Sequence, residues 1–255
     1  MEAPAISEGA GGPAAPFPRC LAIVPAFQER DAIGQVIADI RAQATVEIVV
    51  IDDGSGDGTA AEAVRAGARV ITLPFNLGIG SAMQTGYMAA QEGDFDVAIQ
   101  VDGDGQHPAA EINRLVGALV ESGADLAIGS RFVGERLYRP TFGRRLGIAI
   151  FARVVSAICR TRVTDSTSGF RAGNRRAIAL FAAAYPHDYP EVEAVIIAHR
   201  AGLRLIEVPV QMRERQGGRS SITPIKSGYY MLKVIMAIVM VLLRRPIKLD
   251  QPPGA

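Results

Sequence analysis

The sequence has only two cysteines, and it has no lysine before Lys226. Cys20 and Cys159 are too few for a disulfide framework, and neither has a histidine or a second cysteine at metal-binding spacing. We therefore expect buried, reduced thiols in a cytosolic protein. The missing early lysine excludes a P-loop, which needs Gly-Lys-Ser/Thr, and a protein kinase site, which needs a lysine on an early strand.

The sequence also shows no signal-peptide pattern in residues 1–18 and no long apolar run. Residues 1–18 are rich in Ala, Gly and Pro and have no positive and apolar leader regions, so they are predicted to be a disordered tail. Residues 229–243 are strongly apolar but shorter than the roughly 20 residues of a membrane span. Tyrosines at one end and basic residues at both ends favour a helix lying in the membrane interface, whereas a core or dimer helix is the alternative. We predict a catalytic domain over 19–221, this apolar segment over 222–245 and a tail over 246–255.

The formal net charge of +1 conceals two halves of opposite sign. Residues 1–130 carry 18 acidic residues and 6 Lys or Arg, whereas the remainder carries 8 acidic residues and 21 Lys or Arg. An acidic half suits a metal site, and a basic half suits phosphates or an anionic membrane surface. Nucleic acid is not expected as a partner, because the basic half has no zinc-finger spacing, basic zipper or aromatic-rich RNA-binding signature.

Short apolar runs alternate with helical patterns along the chain. The predicted strands cover 20–24, 47–51, 69–73, 97–101, 125–128 and 205–210. The predicted helices cover 31–42, 59–66, 81–91, 111–121, 144–159, 174–184 and 229–243, and a further helix, entered from a polar turn at 186–193, carries Glu191 and Glu193. Because the strand runs are apolar throughout, this order predicts an α/β fold with a mainly parallel sheet covered by helices on both faces.

Polar residues follow four of these strands. Pro25 interrupts the first run, Asp52 and Asp53 follow the second, Asn76 follows the third, and Asp102-Gly103-Asp104 follows the fourth. Ligands of such sheets bind at the carboxyl ends of the strands, so these clusters should meet at one edge. The two glycine clusters, at 54–58 and 78–80, do not fit the dinucleotide-binding fingerprint.

Asp102 and Asp104 are the predicted metal ligands. Carboxylate oxygens suit Mg²⁺ or Mn²⁺, with phosphate oxygens completing the shell. The alternative is a polar β-turn, because Asp and Gly are common turn residues. His107 could be a third ligand or a hydrogen-bonding loop residue.

Taken together, the motifs resemble those of family 2 glycosyltransferases, and within them the polyprenyl-phosphate hexose synthases. The resemblance spans roughly 20–221 and rests on the order and spacing of short segments. These are VPAFQE at 24–29, DDGS at 52–55, NLGIG at 76–80, DGDGQHP at 102–108, GSR at 129–131, SGFR at 168–171, and Arg215 with Gly218 and Ser220.

The resemblance implies a GT-A-type nucleotide-diphospho-sugar transferase fold and an inverting, metal-dependent hexosyl transfer. It implies a metal site of Asp102, Asp104 and Gln106, and catalytic roles for Asp104, Arg131, Glu193 and Arg215, with the two arginines facing the phosphates. The expected donor site comprises Pro25, Ala26, Glu29, Asp52, Asp53, Ser55, Asn76, Gly78, Gly80, Asp102, Gly103 and Ser168, with Ser168 and Glu193 near the sugar and acceptor. Two departures stand out: Gln28 replaces the usual Asn, and Ser221 replaces a frequent Lys.

The expected acceptor is a polyprenyl phosphate, such as dolichyl or undecaprenyl phosphate, at the inner face of the membrane. A lipid monophosphate is already ionised near neutral pH and needs positive charge rather than a base, which suits the arginine excess, including Arg131, Arg213, Arg215 and Arg219. The donor could be a GDP- or UDP-hexose. A small membrane protein or a second copy of the chain is a further expected partner. There are two alternatives. One is a soluble transferase that has a glycan hydroxyl as acceptor and uses Glu191 or Glu193 as base. The other is a non-catalytic nucleotide-sugar-binding protein.

Overall fold

The structure is a computed structural model that describes residues 17–133, 142–187, 189–211 and 224–247. Side chains are described outside 142–149 and 224–232. The strands in these ranges are β1 (Cys20–Ala26), β2 (Glu47–Asp52), β3 (Arg69–Thr72), β4 (Val97–Gln100), β5 (Leu126–Ser130), β6 (Arg171–Asn174) and β7 (Leu205–Pro209). The helices are α1 (Arg30–Gln43), α2 (Thr59–Arg65), α3 (Ile79–Glu92), α4 (Ala110–Ser122), α5 (Phe142–Cys159), α6 (Arg175–Ala183), α7 (Pro190–Arg200) and α8 (Pro224–Leu243).

These strands form one sheet in the order β3-β2-β1-β4-β6-β5-β7. All paired neighbours are parallel except β6, which runs antiparallel to β4 and β5. Alternate residues of β1 enter opposite cores: Leu21 and Ile23 pack with α3, α6 and α7, whereas Ala22 and Val24 pack with α1 and α4. The predicted α/β sheet, covered on both faces, is confirmed.

Two details of the sheet differ from the sequence prediction. The sequence predicts no strand at 171–174 and begins a helix at Asn174, yet these four residues form β6. The sequence predicts that the first strand ends before Pro25, but β1 continues through it to Ala26. The pairing of β1 with β4 stops at Ile23, so Pro25, which has no N–H group, lies where that side of β1 has no further ladder pairing.

The C-terminal helix α8 begins at Pro224, five residues earlier than predicted, and packs against α7. Val234, Ile238 and Val241 are buried on its inner side, while Met236, Met240 and other apolar side chains are exposed. Within the described ranges, none of the helices combines the length and the apolar character that crossing a bilayer requires.

Candidate active site

An open cleft lies at the carboxyl ends of β1, β2 and β4. Its wall brings together nine of the predicted site residues, which are Pro25, Ala26, Glu29, Asp53, Asn76, Gly78, Asp102, Gly103 and Asp104. Phe27, Ile79 and Ala82 complete the wall. The polar residues that follow separate strands therefore meet at one edge of the sheet, as the parallel topology requires.

Asp53 organises one wall of the cleft. Its side chain is buried, and its two carboxylate oxygens accept hydrogen bonds from the backbone N–H groups of Leu77 (2.8 Å) and Gly78 (2.9 Å). Gly78 has φ 87° and ψ 160°, a conformation open essentially only to glycine. Asp53 thus holds the loop that carries Asn76 against the end of β2.

The other predicted residues of this region support the wall from behind. Asp52 is buried, and its carboxylate accepts a hydrogen bond from the backbone N–H of Ser55 at 3.2 Å. Gly80, at the start of α3, has ordinary backbone angles but leaves room for another segment: a Cβ there would stand 2.4 Å from the carbonyl oxygen of Pro186. Asp52, Ser55 and Gly80 are not part of the cleft wall in the described structure.

Three side chains hold the segment that carries Glu29. The backbone N–H groups of residues 28, 29 and 30 donate to Ser55 Oγ (3.0 Å), Thr59 Oγ1 (3.0 Å) and Asp57 Oδ2 (3.2 Å), respectively. The hydrogen bond from the Thr59 hydroxyl, together with backbone N–H donors, lowers the pKa of Asp57. The sequence prediction missed Asp57 and Thr59. The Asp57 side chain accepts the backbone N–H of Thr59 at 3.0 Å, which is an Asx-turn, and an Asp-Gly step directly before a predicted helix is a sequence signal for such a turn.

Asp102 and Asp104 both face the cleft. The side chain of Asp102 is 31% exposed. The backbone N–H of Gln106 donates to Asp104 Oδ1 (3.0 Å), and its side-chain amide contacts Oδ2, so Gln106 lies next to Asp104. Gly169 flanks the carboxylate of Asp102: a Cβ at Gly169 would stand 3.2 Å from Oδ1 of Asp102.

These residues fit a divalent cation that is shared with a ligand. Both protein donors are hard carboxylates separated by a single residue, the missing side chain at Gly169 leaves the flank of Asp102 clear, and the cleft is open. Among the described residues, no group of three or more His, Cys, Asp or Glu side chains is placed to hold a metal ion alone. The amide of Gln106, water or a bound diphosphate could supply the remaining ligands of a cation.

Arg131 is paired with a buried acid. Its guanidinium makes two hydrogen bonds to Asp165, at 2.7 Å (Nε) and 2.8 Å (Nη2), and a third to Thr167 Oγ1 at 2.9 Å. The carboxylate of Glu207 accepts the backbone N–H groups of Thr164 and Asp165, and burial raises the pKa of Glu207. Arg131 therefore joins the end of β5 to the 164–167 segment.

Ser168 lies on the same loop but does not reach the cleft. Its side chain is buried, and its Oγ has no hydrogen-bond partner in the described structure. The Nε of buried Arg171 donates to the carbonyl oxygen of Ser168 at 2.9 Å. Arg171 also contacts the carbonyl oxygen of Glu191, which connects this loop to the start of α7.

The two glutamates of α7 lie in different surroundings. Glu193 accepts the backbone N–H of Tyr189 at 3.0 Å and lines a second pocket, between α7 and the end of α8. Glu191 is half-buried, and desolvation raises its pKa; nearby Arg171 opposes this shift, and the negative charge of Asp102 adds to it. Glu191 is therefore electrostatically coupled to the carboxylate site. The predicted Arg213, Arg215 and Arg219 lie outside the described residues.

Comparison with known proteins identifies the family. The model of glycosyl transferase family 2 matches residues 21–181. The chain is 32% identical over 230 residues to the polyprenol monophosphomannose synthase of Mycolicibacterium smegmatis, covering 86% of each protein. It is 30% identical over 215 residues to the undecaprenyl-phosphate mannosyltransferase of Micrococcus luteus, covering 80% of this chain and 88% of that protein.

A solved structure supports the fold. Glucosyl-3-phosphoglycerate synthase from Mycobacterium tuberculosis, crystallised with Mn²⁺, UDP and glucosyl-3-phosphoglycerate, superposes with a TM-score of 0.66 at 24% identity, covering 92% of this chain and 82% of that chain. At this identity the likeness shows the GT-A-type fold alone. The family match, by contrast, includes β1 from Leu21 onward, all of β2 to β4 and the segment with Asp102 and Asp104. The chain belongs to glycosyl transferase family 2 and is a glycosyltransferase.

Proposed function

We propose that this enzyme transfers a hexosyl group from a GDP- or UDP-hexose to a polyprenyl monophosphate, with Mg²⁺ or Mn²⁺ held at Asp102 and Asp104. The observation that carries the proposal is the meeting of these two carboxylates with Pro25, Glu29 and Asp53 in one open cleft. The names of the mannosyltransferase relatives support a polyprenyl phosphate as acceptor.

The departing nucleoside diphosphate gains negative charge during the transfer, and a divalent cation supplies Lewis-acid neutralisation of that charge when it is bound. Asp102 and Asp104 would hold the cation, and Gln106 would assist them. Pro25, Ala26, Glu29 and Asp53 would bind the base and ribose. The acceptor monophosphate needs no general base, because its second pKa is about 6. Arg131 and Arg215 would attract the negative charge of the acceptor phosphate. Asp165 balances part of the positive charge of Arg131.

We further propose that α8 lies on the membrane that contains the acceptor, at its cytoplasmic face. The side of α8 that does not pack against α7 exposes Met236, Val239, Met240 and Leu243. Arg244 and Arg245 follow the helix and are exposed. An apolar face beside basic residues is the pattern of an interfacial helix on anionic lipid.

A lipid-extraction assay tests the reaction. Purified protein is incubated with polyprenyl phosphate and labelled GDP- or UDP-hexoses, with Mg²⁺, with Mn²⁺ or with EDTA. We expect metal-dependent label in the organic phase for one donor and a loss of about 100-fold or more in Asp104→Asn, since charge-stabilising groups are typically worth that much. Glu92→Gln, at an exposed carboxylate at the end of α3, is the matched control. Full activity of Asp104→Asn would refute the metal role.

The membrane proposal has its own test. The test is flotation in a density gradient with vesicles that contain anionic lipid. The wild type should float with the vesicles. The double variant Met236→Glu/Met240→Glu should remain in the bottom fraction, because it places two negative charges on the exposed apolar face of α8. Equal flotation of both proteins would contradict an interfacial role of α8.

A hydroxyl acceptor is the second candidate, and one observation favours it. Burial raises the pKa of Glu191, which lies close enough to the carboxylate site to be affected by the charge of Asp102. A carboxylate with a raised pKa is a better general base for a hydroxyl. This candidate predicts that Glu191→Gln abolishes transfer to a glycan while Glu193→Gln does not; transfer to polyprenyl phosphate by Glu191→Gln at the wild-type rate would argue for the monophosphate acceptor.

A further inference from the structure

We propose that His107 is a positioning residue that fixes the carboxylate of Asp102 for the cation, and is not itself a metal ligand. The inference rests on the proposed metal role of Asp102. His107 lies five residues after Asp102, beyond the turn that contains Asp104 and Gly105, and its side chain is 4% exposed. The ring Nδ1 accepts the backbone N–H of Asp102 at 3.0 Å, and Nε2 lies 3.5 Å from Oδ2 of the same residue.

These two contacts define the tautomer of the neutral ring. A ring nitrogen that accepts an N–H cannot carry a proton, so the proton of the neutral imidazole is on Nε2. That N–H group is the one beside Oδ2 of Asp102. At 3.5 Å the contact is an attraction between an N–H dipole and a carboxylate rather than a full hydrogen bond.

The same arrangement leaves His107 without a lone pair for a metal. Nδ1 is engaged by the backbone of Asp102, and Nε2 carries the proton. Oδ2 of Asp102 is turned toward the ring. Gly169 flanks this carboxylate: a Cβ there would stand 3.2 Å from Oδ1 and 3.4 Å from Oδ2. A single buried ring therefore contacts both the backbone and the side chain of the first carboxylate residue.

The ring is itself held in place. The centroid of the Phe170 ring lies 4.9 Å from that of His107, with the planes inclined by 33°, and Phe170 is fully buried. Phe170 in turn packs closely against Gly129, where a Cβ would stand 2.7 Å from its ring. Gly105, with φ +75°, provides the left-handed residue of the turn that returns the chain to Asp102. Outer residues that are fixed in this way typically change metal affinity by about 10- to 100-fold when they are replaced.

Two variants separate the two contacts. His107→Phe keeps an aromatic ring against Phe170 and removes both polar contacts. His107→Asn places an amide near the position of Nδ1, where its oxygen can still accept the N–H of Asp102, but it cannot reach Oδ2. His199→Asn, in the last turn of α7, is the matched control. Mn²⁺ binding is measured by the EPR signal of the free ion, and GDP and UDP binding is measured calorimetrically with and without Mn²⁺.

We expect His107→Phe to weaken Mn²⁺ binding about 10- to 100-fold, His107→Asn to weaken it less, and His199→Asn to leave it unchanged. Nucleotide affinity without metal should be the same in all four proteins. Wild-type Mn²⁺ affinity in both His107 variants would overturn the inference, as would an equal loss of metal-free nucleotide binding, which would indicate general collapse of the cleft. If Asp102→Asn binds Mn²⁺ as tightly as the wild type, the proposed metal site fails instead.

Discussion

Replacing Asp53 with Asn tests whether one carboxylate shapes the donor cleft. In the structure both oxygens of Asp53 accept backbone N–H groups of the loop that carries Asn76, at 2.8 and 2.9 Å. Asparagine has one side-chain oxygen, so it can keep one of these bonds, and its NH₂ group then faces the other N–H. A hydrogen bond to a charged group contributes about 1.5–3 kcal/mol, and each 1.4 kcal/mol is a factor of about ten.

We therefore expect Asp53→Asn to weaken GDP or UDP binding by about 10- to 100-fold, because the loop that lines the cleft is no longer held. Isothermal titration calorimetry measures the affinity, and urea denaturation measures the free energy of unfolding of the same protein. Asp52→Asn is the control, since Asp52 is equally buried but accepts a single N–H at 3.2 Å. Wild-type affinity in Asp53→Asn, or an equal loss in both variants, would refute the reasoning.

Three further predictions concern stability, measured by urea denaturation. Gly80→Ala should lower the free energy of unfolding by about 1–3 kcal/mol, because the new Cβ would overlap the carbonyl oxygen of Pro186. Gln28→Asn should raise it by up to about 1 kcal/mol, because Gln28 is exposed with φ 55°, a left-handed conformation that Asn adopts more readily. Glu191→Gln should be more stable than the wild type at about pH 7.5, and this advantage should vanish at about pH 4, below the ordinary carboxyl pKa of 4.5.

The sign of the last prediction follows from burial. The pKa of Glu191 is raised in the folded protein, so the folded state holds this proton more tightly than the unfolded state does, and the wild type loses stability as pH rises through the raised value. A constant difference in the free energy of unfolding between the two proteins across this pH range would contradict the raised pKa of Glu191.

For Gly80→Ala the control is Gly117→Ala on α4, where a Cβ meets nothing within 4 Å, so the free energy of unfolding should stay the same or rise. If Gln28→Asn has the same free energy of unfolding as the wild type, the left-handed conformation of residue 28 is not strained and the prediction is wrong.

The alternation of apolar runs and helical patterns sufficed to predict the layered α/β fold, because strands that are buried on both faces have a recognisable composition. It also predicted which residues leave the strands together: Pro25, Asp53, Asn76 and the Asp102–Asp104 pair meet in one cleft because parallel strands end at the same edge. The resemblance to family 2 added roles to these residues, and the family itself is confirmed.

Tertiary structure alone decided the partners of the buried polar groups. Arg131 pairs with Asp165, which is 34 residues away in the chain, and no local spacing could predict that ion pair. The segment 171–174 is only four residues long and contains Ala, Gly and Asn, which are uncommon in strands; it becomes β6 because β4 and β5 supply ladder hydrogen bonds on both sides. Likewise, the sequence places Glu191 and Glu193 only two residues apart, whereas packing of α7 brings Glu191 near Arg171 and leaves Glu193 in a second pocket. Sequence spacing determines where a side chain leaves the backbone, and long-range packing determines what it meets.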